Sequence, residues 1–196
     1  FLLEVFDGDT DLIDFVQRLV GYGVTGSTRE HCFGVLHGTG ANGKSVFLNV
    51  LNEVLGEIVG TAAFSAFEAK PTGASTADLA SLHGARLVFA QEGERSKPMA
   101  EAMIKRCTGG DPVTCRHLYK DQMTYIPKYL LLLASNYKPR FGGQDEGLWR
   151  RVKLIPFLRF FAPEERDHYL QTKLADEGPG ILAWAIQGAI DWYADG

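Results

Sequence analysis

The sequence predicts an α/β fold, a largely parallel sheet with helices on both faces, and three observations carry that prediction. Short uninterrupted apolar runs, Leu87, Val88, Phe89 and Ala90 within residues 86–91 and again residues 129–134, have the character of strands buried on both sides. Stretches with apolar residues at helical spacing lie between such runs. A glycine-rich segment, residues 38–43, joins a strand to a helix. Taken in order, residues 12–20 place Leu12, Ile13, Phe15, Val16, Leu19 and Val20 on one helical face, with Gly21 and Gly23 positioned to stop the helix. Residues 31–37 form the strand that enters the glycine segment. Val46, Phe47, Val50, Leu51, Val54 and Leu55 mark the next helix, ended by Gly56. A helix over 75–82 precedes the strand at 86–91. A short helix around 100–107, a turn at 109–112 and a hairpin-forming segment to Met123 follow. Strands at 129–134 and 152–157 and helices at 163–174 and 181–193 complete the pattern.

Composition bounds what such a fold can do. The chain has 196 residues, 45% of them hydrophobic and 22% charged, enough apolar surface for one well-filled core. Its 20 Lys and Arg against 24 Asp and Glu give a net charge of −4. That balance argues against broad electrostatic wrapping of nucleic acid and leaves room only for basic residues concentrated locally. No apolar run approaches the roughly 18 residues of a membrane-spanning helix, so no membrane role is expected. Cys32, Cys107 and Cys115 are odd in number and lack the close pairing of a zinc site. A reducing, cytoplasmic setting fits them best. The chain begins at Phe1 with neither methionine nor leader segment, and the expectation is a domain cut from a longer protein.

The strongest chemical signal is GTGANGKS: Gly38, Thr39, Gly40, Ala41, Asn42, Gly43, Lys44 and Ser45. It matches the phosphate-binding pattern G-x-x-x-x-G-K-[ST] in its required setting, after a strand and before a helix. The glycines let successive N–H groups turn toward phosphate oxygens at a helix N-terminus, where the backbone dipoles favour negative charge. Lys44 then reaches the β- and γ-phosphates of ATP, and the Ser45 hydroxyl coordinates Mg²⁺.

A nucleoside-triphosphate hydrolase also needs a carboxylate at the end of a neighbouring strand to activate water. Glu92, directly after the strand at 86–91, is the candidate, with Glu94 second and more exposed in register. The residue before it is Gln91 rather than an acid, so the metal must rely on Ser45, phosphates and water. Asn136 stands at the end of the next apolar strand, either contacting the γ-phosphate or water, or making an ordinary turn before Pro139. Trp149, Arg150 and Arg151 precede the last strand, as a surface ion-pair site or as an arginine finger.

Together, GTGANGKS, the strand ending at Glu92, IKRCTGGDPVTCRHLYK, the strand ending at Asn136 and LWRRVKLIPF resemble, in order, the superfamily 3 helicases. The similarity is greatest to the phage and plasmid primase-helicases, relatives of the poxvirus primase-helicase, and runs from GYGVTG to ILAWAIQGAIDWY. The resemblance implies a P-loop NTPase of AAA+-like architecture with an inserted β-hairpin. It implies a ring, usually a hexamer, that uses ATP and Mg²⁺ to translocate on single-stranded DNA, encoded by a phage, plasmid or mobile element. It makes Glu92 the catalytic acid, Asn136 the sensor and Arg151, in preference to Arg150, the finger reaching a neighbouring subunit. Residues 105–120 become the channel hairpin, with Lys120 first, then Arg116 and His117, as DNA contacts. Residues 1–26 become the end of a helical collar and 27–196 the ATPase domain. Without its collar the chain is expected to be monomeric. A solvated basic surface is the plain alternative for the hairpin residues. Two other functional classes compete: a phosphate-loop kinase for a nucleotide or other small molecule, and a nucleotide-binding scaffold without turnover, suggested only by Gln91.

Overall fold

A computed structural model describes residues 1–70, 76–91, 97–117, 119–142 and 146–196. The chain begins with one helical turn, α1 (Leu2–Val5), and a long helix, α2 (Thr10–Thr25), whose first turn is capped by the Asp9 carboxylate accepting from Leu12 N–H at 2.9 Å. Strand β1 (Phe33–His37) leads through the glycine segment into α3 (Lys44–Leu55). There follow β2 (Val59–Ala63), the short α4 (Ala77–Ala80), β3 (Leu87–Gln91) and α5 (Glu101–Gly109). A two-stranded excursion, β4 (Val113–Arg116) and β5 (Gln122–Tyr125), precedes β6 (Leu130–Ser135). The chain ends with α6 (Glu146–Trp149), β7 (Val152–Pro156), α7 (Leu170–Asp176) and α8 (Gly178–Asp195).

Five strands form one sheet in the order β2-β3-β6-β1-β7, every neighbouring pair parallel, while β4 and β5 pair antiparallel as a separate hairpin. Alternation along the central strands divides the core into two layers. Leu36, Leu87, Phe89, Leu130 and Leu132 face α2, α3 and α8. Val35, Val88, Ala90, Leu131 and Leu133 face α4, α5 and the base of the hairpin. The expected parallel sheet with helices on both faces and an inserted hairpin is therefore present. Residues 1–26 lie in the first of these layers, through Val5, Val16, Leu19 and Val20.

Two local expectations are corrected, and one strand is added. Gly21 and Gly23 do not stop α2, which continues to Thr25 and ends on Gly26 in the left-handed conformation at φ 68°. Gly21 is instead where α8 crosses: a Cβ there would lie 2.1 Å from the Ala189 nitrogen and 2.2 Å from the Gly188 carbonyl carbon. Close backbone approach, rather than helix termination, accounts for it. The helix expected over 163–174 is a 3₁₀ turn at Pro163–Glu165 and a separate α7, because Asp167 turns back to accept from Tyr169 N–H at 2.9 Å and from Lys173 Nζ at 2.6 Å. The edge strand β2 had no counterpart in the sequence reading.

Candidate functional site

The parallel arrangement brings the carboxyl ends of β1, β3 and β6 to one side, and a cavity of about 660 Å³ opens there. Its floor is the glycine loop. Gly40, Ala41 and Gly43 adopt positive φ of 110°, 47° and 87°, the sequence of turns that aims backbone N–H groups inward. The loop is pinned by the segment that follows β7, the strand paired with β1. Phe161 N–H donates to Ala41 O at 2.8 Å, and Asn42 Nδ2 donates to Phe157 O at 3.0 Å. At Gly38 a Cβ would lie 2.1 Å from Phe157 O, so no other residue fits.

Within this frame the Lys44 ammonium is buried, only 6% exposed. It donates to Gly38 O at 2.6 Å, Asn42 Oδ1 at 3.0 Å and Asn136 Oδ1 at 3.3 Å. All three acceptors are neutral, and among the described residues no carboxylate lies within ion-pair distance. Burial accordingly pulls the Lys44 pKa below its ordinary 10.5. A buried cation holding only neutral oxygens favours the approach of an anion. His37, at the end of β1, is likewise pushed below its ordinary pKa by burial and by the charges of Lys138 and Lys44.

Ser45 is exposed and lines the same cavity as Gln91 and Ser135. Hydroxyl and amide oxygens of this kind suit a hard divalent cation that shares its coordination with phosphate and water. Among the described residues no three His, Cys, Asp or Glu side chains converge on a metal position. Glu92 and Glu94 lie outside the described residues. The structure thus joins Lys44 and Asn42, from the loop after β1, to Asn136, just past the end of β6, which the sequence had offered either as a γ-phosphate or water contact or as an ordinary turn.

The opposite wall is new. Phe1, Glu4, Phe161, Arg166, His168 and Leu170 line the cavity beyond the loop. Arg159 ties this wall together, donating to Glu4 O at 3.3 Å and to Glu165 Oε1 at 2.9 Å. The Glu165 carboxylate, bonded by Ala162 N–H and Arg159, sits below the usual carboxylate pKa, as does Asp167 beside Lys173 and Tyr169 N–H. Nothing in the periodicity marked these residues as neighbours of the loop. The only signal was proximity to β7, which itself pairs with β1.

The two arginines before β7 differ sharply. Arg151 is tied to its own chain: Nε donates to Gly147 O at 3.1 Å, and one terminal nitrogen to Lys105 O at 3.2 Å and Thr108 Oγ1 at 3.1 Å, closing the end of α5. Arg150 is exposed. Both stand at the amino end of β7, opposite the glycine loop, since Val152 is in register with Phe33.

Arg116, His117 and Lys120 all belong to the β4–β5 hairpin, Arg116 and Lys120 exposed and His117 partly so, with Lys120 N–H donating to His117 O at 3.2 Å across the tip. Among the described residues no helix is long and apolar enough to cross a membrane. Cys32, Cys107 and Cys115 are buried as free thiols, and burial raises Cys32 and Cys107 to about 11.

Similarity to known proteins agrees with this geometry. The chain is 32% identical over 161 residues to L207/L206 of Acanthamoeba polyphaga mimivirus, a protein with a provisional helicase name, covering 81% of this chain and 17% of that protein. It is 28% identical over 179 residues to the uncoating factor OPG117 of vaccinia virus, covering 84% of this chain and 22% of that protein. The apo C-terminal region of NrS-1 shares the fold, with a TM-score of 0.71 at 12% identity over 94% of this chain and 44% of that one. The chain thus spans about a fifth of the length of these viral relatives. The resemblance drawn from the ordered motifs to the helicase-like viral and phage proteins holds. A profile described as a family of unknown function, DUF5906, matches residues 36–151, more than half of the sequence, and the chain belongs to that family.

Proposed function

We propose that the chain is the ATP-hydrolysing motor of a DNA helicase, a P-loop NTPase with an AAA+-like core that works as a ring, in a hexamer. The observation that carries the reading is the buried Lys44 ammonium, held by neutral acceptors at the carboxyl end of the central strands. The helicase names of its viral relatives support the helicase part.

In this reading the loop N–H groups and Lys44 bind and orient the phosphates of ATP, and Ser45 holds Mg²⁺. When bound, the metal neutralises charge between the β- and γ-phosphates. On phosphate arrival Lys44 exchanges its contact with Asn136 for an anionic one, which frees the Asn136 amide to orient water at the γ-phosphate. Glu92 accepts the water's proton. A trans-acting guanidinium completes the site. Because Arg151 is committed to its own chain, the role passes to Arg150, with Arg151 fixing the segment that presents it. Arg116, His117 and Lys120 on the hairpin meet the phosphates of a threaded strand. The origin in a phage, plasmid or mobile-element replicon rests on the same resemblance.

Single-stranded DNA is expected to stimulate ATP hydrolysis by the assembled protein. Turnover that ignores DNA would overturn the motor reading. Transfer of the γ-phosphate to a small acceptor rather than water would establish the kinase instead.

A further inference from the structure

Tyr119 is the residue the proposed function leaves without a task. It lies at the turn of the β4–β5 hairpin, its φ is +61°, and the residue is fully exposed. Full exposure of an aromatic ring and left-handed backbone at a bulky residue are each unfavourable, and here they coincide. The other tyrosines of the region behave differently. Tyr125 is buried and its hydroxyl donates to Leu79 O at 2.7 Å, and Tyr129 is buried at the start of β6.

The hairpin is firmly held below Tyr119. Thr114 and Thr124 hydroxyls meet across the strands at 2.9 Å, and Arg116 N–H donates to Thr76 Oγ1 at 3.2 Å. A fixed stem therefore presents a ring on a turn that carries cationic residues on both sides in sequence, Arg116 before and Lys120 after. Single-stranded nucleic acid offers the matching pattern, anionic phosphates at short intervals with flat apolar bases between them. A duplex hides those base faces in its stack.

We propose that Tyr119 is a nucleobase-stacking residue, so that the hairpin grips bases as well as phosphates and discriminates single strands from duplex. The inference rests on the DNA-motor reading and adds a ligand group to it. Stacking on an aromatic face tolerates any base, so no sequence preference follows.

The test compares two labelled strands of equal length and charge, oligothymidine and a fully abasic oligomer, by fluorescence anisotropy on the full chain. Tyr119→Ala, and Tyr119→Asn, which suits left-handed backbone, should weaken oligothymidine binding by about 5- to 100-fold. Tyr119→Phe should retain it, and all forms should bind the abasic strand alike. Lys120→Ala should weaken binding to both strands. If the Tyr119 variants bind oligothymidine as wild type does, or lose both strands equally, while Lys120→Ala still weakens both, the stacking role is wrong and the hairpin reading stands. If Lys120→Ala is also without effect, or the wild type binds neither strand, the hairpin reading falls and the stacking role with it.

Discussion

The chemistry of Lys44 turns on its hydration. An ammonium that has lost water is less easily protonated even with three neutral acceptors around it, and a bound phosphate reverses that by supplying opposite charge. Between its lowered value and 10.5, the free site holds fewer protons than the occupied one. ADP binding in alkaline buffer should therefore take up protons, read from titration calorimetry in two buffers of different ionisation enthalpy. The apo protein should gain stability from this group as pH rises through the same interval, since its folded pKa is the lower one. Lys44→Ala should abolish nucleotide binding and proton uptake while shifting Tm by no more than about 4 °C. Proton release on binding would show that the ammonium is not the phosphate ligand. Glu92→Gln should keep ATP affinity and lower turnover about 100-fold, the scale for losing a positioned base. A larger effect from Glu94→Gln would move the role two residues on.

Among the elements, the α2–α8 crossing and the α5–β7 junction give the clearest consequences. Gly21→Ala places a methyl against main-chain atoms of α8, which cannot rotate away. It should cost about 1–3 kcal/mol, seen as a lower urea midpoint at unchanged slope. Arg151→Ala strips hydrogen bonds from Lys105 O, Thr108 Oγ1 and Gly147 O, and should destabilise the fold by about 1–3 kcal/mol. Arg150→Ala should leave stability unchanged and abolish assembly-dependent hydrolysis, an effect of roughly 10³-fold or more. The reverse pattern in melting and turnover would return the finger to Arg151. Which elements were legible in the sequence follows from where their determinants lie. Strands β3 and β6 announce themselves because both faces are buried, so Leu87 to Ala90 and Leu130 to Leu133 are unbroken apolar runs. Strand β2 lies at the sheet edge and is half exposed, so VGTAA carries neither run nor alternation. Gly21 misled because its reason is a distant helix, and local glycine preference points the other way. The glycine loop was legible because its geometry is local. Its supports at Phe157 and Phe161 were not, since they reach it across more than a hundred residues of chain.

At the scale of the whole molecule, the separation of the arginines from the glycine loop by the length of β1 requires a neighbouring copy for any contact with nucleotide. Turnover per subunit of the assembled protein should fall as dilution takes it below its association range, and a flat profile would exclude a trans-acting group. The strand order has a further consequence, for synthesis on the ribosome. Strand β1 is the first to emerge, yet its two sheet neighbours are β6 and β7, which emerge last among the strands. Roughly 120 residues separate the paired Phe33 and Val152, an interval of about 6 to 24 s of translation. Until β6 is made, about 100 residues after β1, the chain carries an apolar strand with both edges open, the form most prone to wrong pairing. Strand β1, and the glycine loop that hangs from it, can be set between its two neighbours only once the chain has been made through β7.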